Sequence, residues 1–137
     1  MLKILLALLV FCTFVSAEAT MVKDSKTGLM WEDTPHVKNV KITQPKARMY
    51  CRELRLGGFE NWRLPTIHEL LSIVDYTRVE PALPKAFSYI EAESFYWTKT
   101  PLADSDDEFW GVNFKRGASS RASEYYDRYV RCVRELK

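Results

Sequence analysis

The chain has 137 residues, and its 20 Lys and Arg residues nearly balance 18 Asp and Glu residues, for a formal net charge of +2. This length suits a single domain and excludes a two-domain enzyme or a multi-pass membrane protein. With 28% charged and 47% apolar residues, the composition is that of a folded chain rather than a disordered one. Nucleic-acid-binding proteins carry a concentrated basic field, so this charge balance predicts no nucleic-acid partner.

The first 17 residues have the pattern of a signal peptide. Lys3 precedes an apolar run over residues 4–15, and the small or β-branched residues that signal peptidase prefers follow at Val15 and Ala17. The run is shorter than the about 20 apolar residues of a membrane-spanning helix. It also lacks the polar face that a buried N-terminal helix would show. We therefore expect an exported domain of residues 18–137 with no stable membrane anchor.

The cysteines predict one disulfide bond. Cys12 lies in the predicted signal peptide, so the mature domain keeps Cys51 and Cys132. An even number of cysteines in an exported chain is typical of a disulfide, and a reduced, reactive pair is the alternative. The bridge would close a loop of 81 residues and add about 4 kcal/mol to the free energy of unfolding in the chain-entropy model.

The mature chain begins with a predicted hairpin. Residues 21–32 contain two short apolar segments around a polar turn that ends at Gly28. Residues 34–41 are polar and predicted to be irregular. A helix then begins near Thr43, a candidate N-cap, and ends at Gly57. Its apolar stripe follows the spacing i, i+3, i+4, i+7 and comprises Ala47, Tyr50, Cys51 and Leu54.

Several charged side chains of this first helix face away from its stripe, among them Arg48 and Arg52. A second helix is predicted after Pro65, because Thr66 and Glu69 have the spacing of a capping box. The same helical spacing returns at Ile67, Leu70, Leu71 and Val74. His68 lies off that stripe, which predicts a solvent-facing side chain rather than a ligand.

The remainder of the chain reads as strands and loops. A long loop is predicted over residues 78–93, strands over 95–99, 109–114 and 129–134, and a polar segment over 118–127. Two strands, two helices and three more strands without strand–helix alternation indicate an α+β fold. The predicted disulfide would join the first helix to the last strand.

Six sequence blocks resemble successive blocks of one bacterial family, the domain typified by the C-terminal part of the Legionella collagen-like adhesin (the Lcl C-terminal domain). They are DSKTGLMW, YCREL, WRLPT, YWT, WGVNF and YVRCVR. The resemblance spans nearly all of residues 18–137. It implies a C-type-lectin-like fold, with two amphipathic helices packed on small antiparallel sheets. It also implies export to the periplasm or cell surface.

In the adhesin, this domain is tied to binding sulfated polysaccharides, but the present chain contains no collagen-like Gly-X-Y region. The family supplies no agreed catalytic or ligand residues. We expect recognition to fall to the loops over residues 34–41, 77–93 and 118–127.

Three groups of residues are candidate binding features. Four tryptophans could stack on a sugar, but each lies in a strand or helix-entry block, which favours a buried aromatic core. The acidic turn at residues 104–108 could supply oxygen ligands to Ca²⁺, but it lacks the glycine spacing of an EF-hand loop, so a solvated turn is predicted. A basic patch for an anionic polysaccharide is predicted from Lys115, Arg116, Arg121 and Arg128, with nearby acidic side chains weakening its field.

No catalytic, metal or cofactor site is predicted. His36 and His68 are too few for a zinc site or a hydrolytic triad, and no nucleophile lies in an elbow motif. The leading hypothesis is a small lectin-like binding module for an envelope or surface protein or glycan. The alternatives are a structural or assembly subunit of an envelope complex, held by exposed strand edges, and a degenerate enzyme of the formylglycine-generating fold.

Overall fold

The computed structural model describes residues 20–137, so the predicted signal peptide lies outside the described residues. In chain order the elements are β1 (Met21–Asp24), β2 (Leu29–Glu32), α1 (Pro35–Asn39), β3 (Lys41–Ile42), α2 (Gln44–Glu53), a 3₁₀ turn (Leu56–Gly58), α3 (Ile67–Ser72), β4 (Phe95–Pro101), β5 (Glu108–Asn113), β6 (Ala118–Ser123), β7 (Arg128–Tyr129) and β8 (Val133–Glu135). This content confirms the predicted α+β class. Within residues 20–137 no helix is long and apolar enough to cross a membrane.

The strands form two sheets, ordered β1-β2-β8 and β3-β7-β4-β5-β6. The strand pairs are antiparallel, as predicted, with one exception: β4 and β7 pair in parallel at Tyr96 and Tyr129. The single last strand predicted over residues 129–134 is wrong. The chain leaves the larger sheet after Tyr129 and enters the smaller one at Val133. Side-chain alternation indicates which face a residue occupies but not which strand it pairs with, so the pattern could not show this switch.

The larger sheet has a hydrophobic cluster on each face. Adjacent strand residues point to opposite faces, so Tyr96 packs in one cluster and Trp97 in the other. The predicted aromatic core is confirmed for three of the four tryptophans, since Trp31, Trp62 and Trp97 are buried. Trp110 is half-buried and belongs to neither cluster.

The two predicted helices, α2 and α3, form where they were expected but are shorter than predicted. The capping box of α3 is confirmed, with Thr66 and Glu69 each accepting a hydrogen bond from the other's backbone N–H, and His68 is exposed. At the start of α2, Thr43 makes no side-chain cap. The segment predicted to be irregular contains α1 and β3, because a proline begins the helix and Val37 buries completely against the core. One buried apolar residue is too little for a periodic signal.

The predicted disulfide is confirmed. Cys51 of α2 and Cys132, just before β8, are joined with a Cα–Cα distance of 5.5 Å, and both residues are buried. The bridge fastens α2 to the chain that links the two sheets.

A buried ionic cluster lies beside the disulfide. Arg131 is completely buried and donates hydrogen bonds to the backbone carbonyls of Glu32, at 2.6 Å, and Tyr89, and to the Asp33 carboxylate at 3.2 Å. Asp33 in turn accepts the backbone N–H groups of Ser88, at 2.8 Å, and Tyr89, at 3.0 Å. The ion pair of Arg131 and Asp33 therefore holds the long loop after α3 against the end of β2, through hydrogen bonds to the loop backbone.

Candidate functional site

A groove lined by positive side chains lies where α2, the chain before α3 and β4 meet. We call it the basic groove; it has a volume of about 180 Å³ and is lined by Arg48, Arg52, Trp62, Arg63, Leu64 and Lys99. The residues come from three separate segments of the sequence, so only the folded chain assembles them.

One wall of the basic groove is α2, which is held at both ends. The buried side chain of Gln44 donates to the backbone carbonyl of Thr98 in β4 at 3.3 Å. At the other end of the helix, Cys51 forms the disulfide. Arg48 and Arg52 are four residues apart and therefore lie on the same side of the helix, next to β4. The two guanidinium groups are thus presented by a fixed scaffold.

The opposite wall is built by backbone hydrogen bonds. The N–H of Lys99 donates to the carbonyl of Pro65 at 2.8 Å, which places this lysine beside the segment that precedes α3. That segment is held from behind, because Arg63 and Val133 exchange backbone hydrogen bonds of 2.9 Å and 2.8 Å. This wall of the groove is therefore bonded to β8, next to the disulfide at Cys132.

Arg63 is a paired cation within the groove. Its guanidinium contacts both Glu69 oxygens at 2.7 Å and 2.8 Å and Glu135 at 2.7 Å. Burial alone would raise the pKa of Glu69, but hydrogen bonds from Arg63 and the Thr66 backbone outweigh it and hold the pKa at about 2. Hydrogen bonding to Glu69 likewise raises the pKa of Arg63. Arg63 therefore shapes the groove while its charge is already neutralised.

The other three cations of the basic groove are unpaired. Within residues 20–137, Arg48, Arg52 and Lys99 form no ion pair, and all three are exposed. Arg48 lies over the ring of Phe109, 5.9 Å from its centroid, which orients the guanidinium group. Three like charges around one concavity reinforce each other's field, and the arginine forks match the oxygens of sulfate, phosphate or carboxylate groups. The arrangement is suited to binding an anion.

The family model of the Lcl C-terminal domain matches residues 20–134, nearly all of the described chain. The chain belongs to the Lcl C-terminal domain family. This confirms the resemblance read from the six sequence blocks. No curated protein matches the sequence. In this Lcl C-terminal domain, Arg52 and Arg63 lie in the YCREL and WRLPT blocks, and Lys99 directly follows YWT, so the basic groove forms where three of the six blocks meet.

Sequence reasoning missed the basic groove as a site. Arg48 and Arg52 were recognisable only as cations on the outer side of a helix, and that pattern is typical of an ordinary solvated face. Lys99 follows a predicted strand and gives no sign of which helix it will face. The signal available was the spacing of four residues between two arginines, but what lies opposite them is decided by tertiary contacts.

The basic patch predicted from sequence is divided by the fold of this Lcl C-terminal domain. Lys115 forms ion pairs of 3.4 Å with both Glu80 and Glu93, and hydrogen bonds to these carboxylates raise its pKa. Arg116 is exposed in the turn between β5 and β6. One of these two cations is thus already occupied by acidic partners.

The other two patch residues lie on opposite faces of the larger sheet. Arg121 stands across from Trp110 in the β5–β6 ladder. Arg128 lies on the other face, with its guanidinium carbon 4.6 Å and 5.3 Å from the ring centroids of Phe95 and Trp97. Burial there lowers the pKa of Arg128. The structure therefore does not bring the four predicted residues onto one surface.

The acidic turn between β4 and β5 is a local hydrogen-bonded loop. Ser105 donates to Asp107 at 3.2 Å, and residue 104 has a positive φ of 63°. In the part of the chain that the structure describes, no group of three or more His, Cys, Asp or Glu side chains is placed to hold a metal ion. That this turn is solvated and does not bind Ca²⁺ stays a prediction, which a calorimetric Ca²⁺ titration would test.

Proposed function

We propose that this domain is an exported, non-catalytic binding module that recognises an anionic component of the cell envelope or surface, protein or glycan, in the basic groove. The observation that carries the proposal is the convergence on one concave surface of Arg48, Arg52 and Lys99, three cations that have no ion-pair partner among residues 20–137. The family is associated with adhesins, which is consistent with a binding module.

The chemistry of the basic groove favours an anion over a neutral ligand. In the free protein the three cations repel one another, and an anion removes that repulsion as it binds. Because the groove is open to solvent, salt screens this attraction, with a Debye length of about 8 Å at physiological ionic strength. Binding should therefore weaken steeply as salt is added.

Export is supported by the disulfide between Cys51 and Cys132, since such bonds form and persist in oxidising compartments. The predicted signal peptide agrees with this. The module would then act in the periplasm or at the surface of a bacterial cell.

The proposal is tested with heparin as a polysulfated probe. We expect wild-type protein to be retained on a heparin column and released by salt, and the variant Arg48→Ala/Arg52→Ala to bind at least about tenfold more weakly, because two charge-assisted contacts are lost. The matched control is Arg116→Ala/Arg121→Ala, which removes the same charge elsewhere and should bind like wild type.

The control also separates the groove from the patch predicted from sequence. If the control variant loses binding and the groove variant keeps it, the site lies at the patch instead. If heparin, phosphate-rich and carboxylate-rich polymers all fail to bind wild type at low salt, the anion-binding function is wrong.

A further inference from the structure

The larger sheet ends in an open edge at β6. This strand pairs with β5 through six consecutive residue pairs, without a bulge, and no described strand pairs with its other side. The opposite edge of the same sheet is β3, which has only two residues, one of them a lysine. Short length and lysine are common means by which proteins protect a sheet edge. The two edges are therefore unequally protected.

Along this edge the backbone of β6 has hydrogen-bonding groups that no described strand pairs with. Glu124 continues the ladder by donating its N–H to the carbonyl of Asp107 at 2.6 Å. Hydrogen-bonded and non-hydrogen-bonded residue pairs alternate along an antiparallel ladder. The backbones of Ala122, Ser120 and Ala118 therefore also form hydrogen bonds with β5. Ser119 and Arg121 therefore direct their backbone N–H and C=O groups away from the sheet. The Arg121 carbonyl accepts a long hydrogen bond of 3.5 Å from the neighbouring Ser120 hydroxyl, which an added strand would have to share or displace.

The sequence of β6, ASSRAS, contains one of the usual protective features, the charge of Arg121. It has no proline or lysine, its register is regular, and its side chains are small apart from that of Arg121. A row of small side chains, alanines and serines, leaves room for a further strand. An edge of this kind is a template for strand addition.

Exposed tyrosines lie at both ends of the edge. Tyr76 is 72% exposed and packs against Gly117, the residue before β6, where an added Cβ would come within 2.9 Å of the tyrosine ring. Tyr125 and Tyr126, 71% and 64% exposed, follow soon after the strand. Tyrosine is enriched in the cores of protein–protein interfaces. Exposed aromatic rings therefore lie near both ends of the edge.

We propose that β6 binds an extended, acidic segment of a partner protein as an additional antiparallel strand. Main-chain hydrogen bonds to Ser119 and Arg121 would give affinity, as in other cases of strand addition. A carboxylate opposite Arg121, which has no ion-pair partner among residues 20–137, would give selectivity.

The charge of Arg121 also decides between a partner protein and a second copy of this chain. The outward-facing positions of β6 are centred on Arg121, so the longest symmetric pairing of two β6 strands sets the two arginines directly opposite each other. Like charges in that position destabilise the pair. An acidic partner segment has the complementary charge instead.

The test uses a fluorescent nine-residue peptide of alternating valine and threonine with a central glutamate, and a matched peptide with a central lysine. Fluorescence anisotropy should show that the protein binds the glutamate peptide about fivefold more tightly than the lysine peptide. Arg121→Glu should reverse this preference. The control Arg116→Glu, with the same change of charge in the neighbouring turn, should keep the wild-type order.

Amide hydrogen exchange locates the contact independently. The glutamate peptide should slow exchange at Ser119 and Arg121, and Ser119→Pro should reduce its binding while leaving the β5 ladder intact, since that N–H points outward. Arg48→Ala/Arg52→Ala should bind the peptide normally, which separates this proposal from the basic groove. The proposal is overturned if Arg121→Glu leaves the peptide preference unchanged, or if exchange at β6 does not slow. A concentration-dependent dimer abolished by Ser119→Pro would assign the edge to a second copy and also overturn it.

Discussion

Four arginines of this domain form two groups that differ in their partners. Arg131 is buried beside Asp33, and Arg63 joins Glu69 and Glu135 at the side of the basic groove. Arg48 and Arg52 line the same groove as Arg63 but have no carboxylate partner among the described residues. The same residue type thus supports the fold in one group and is left available to a ligand in the other.

The difference shows why partners matter more than charge in recognising a site. A buried cation needs a counter-charge and hydrogen-bond acceptors, since its desolvation costs several kcal/mol. Removing either the cation or its partner therefore destabilises the fold. An exposed cation without a partner contributes little to stability and can be kept or lost without harm to the fold. Substitutions in the two groups should therefore have opposite consequences for folding and binding.

The largest effect is expected at Arg131. Replacing it by methionine keeps much of the stem but leaves Asp33 buried without its counter-charge, so the free energy of unfolding should fall by about 3–5 kcal/mol. Urea denaturation followed by tryptophan fluorescence measures this. Arg121→Met, an exposed control, should change stability by less than about 0.5 kcal/mol. A loss below about 1 kcal/mol at Arg131 would show that the backbone N–H groups satisfy Asp33 unaided.

An intermediate, pH-dependent effect is expected at Glu69. Its pKa in the folded protein is about 2, below the ordinary value of 4.5, so its contribution to stability is present above about pH 4.5 and is lost as the pH falls towards 2. After solvent screening this contribution should amount to roughly 1–2 kcal/mol. Unfolding measured between pH 5 and pH 2 should show a smaller decline for Glu69→Gln than for wild type. Parallel declines would mean that the ion pair with Arg63 does not stabilise the fold.

The smallest effect on folding is expected in the basic groove. Arg48→Gln/Lys99→Gln removes two of the mutually repelling charges, so the free energy of unfolding should rise slightly or change by less than about 0.5 kcal/mol. Heparin retention of the same protein should fall. Thermal unfolding and column elution measure the two properties side by side. A clearly destabilised variant would place these cations with the structural group instead.

Local signals in the sequence predicted the local structure well. The spacing of Thr66 and Glu69 predicted a capping box, and the structure contains it, because both hydrogen bonds of the box form within one turn of helix. The apolar stripe of α2 likewise predicted which side of the helix is buried, with Ala47 and Cys51 fully enclosed. The pairing of Cys51 with Cys132 followed because only two cysteines remain after the predicted signal peptide.

Pairing between distant segments was not predictable in the same way. The segment ASSRAS has no strand-forming pattern, and it becomes β6 because the turn at Gly117, with a φ of 87°, folds it back onto β5. Residues 130–132 join a strand of the larger sheet to a strand of the smaller one. All three are buried, and Arg131 donates hydrogen bonds to carbonyls from elsewhere in the chain, so contacts with the rest of the fold set the conformation of this link. In both cases the partner, rather than the segment itself, imposes the conformation.

The sequence by itself determined the α+β class, the two main helices, the disulfide pairing and the family, since these depend on short-range spacing and on motifs readable along the chain. Only the tertiary structure decided that Arg48, Arg52 and Lys99 surround one groove, that the four cations of the predicted patch are separated, and that β6 forms an open edge. The physical reason is that charge acts through space. Whether a cation is paired or free depends on which carboxylates the fold brings within a few ångströms, and the order of residues does not contain that distance.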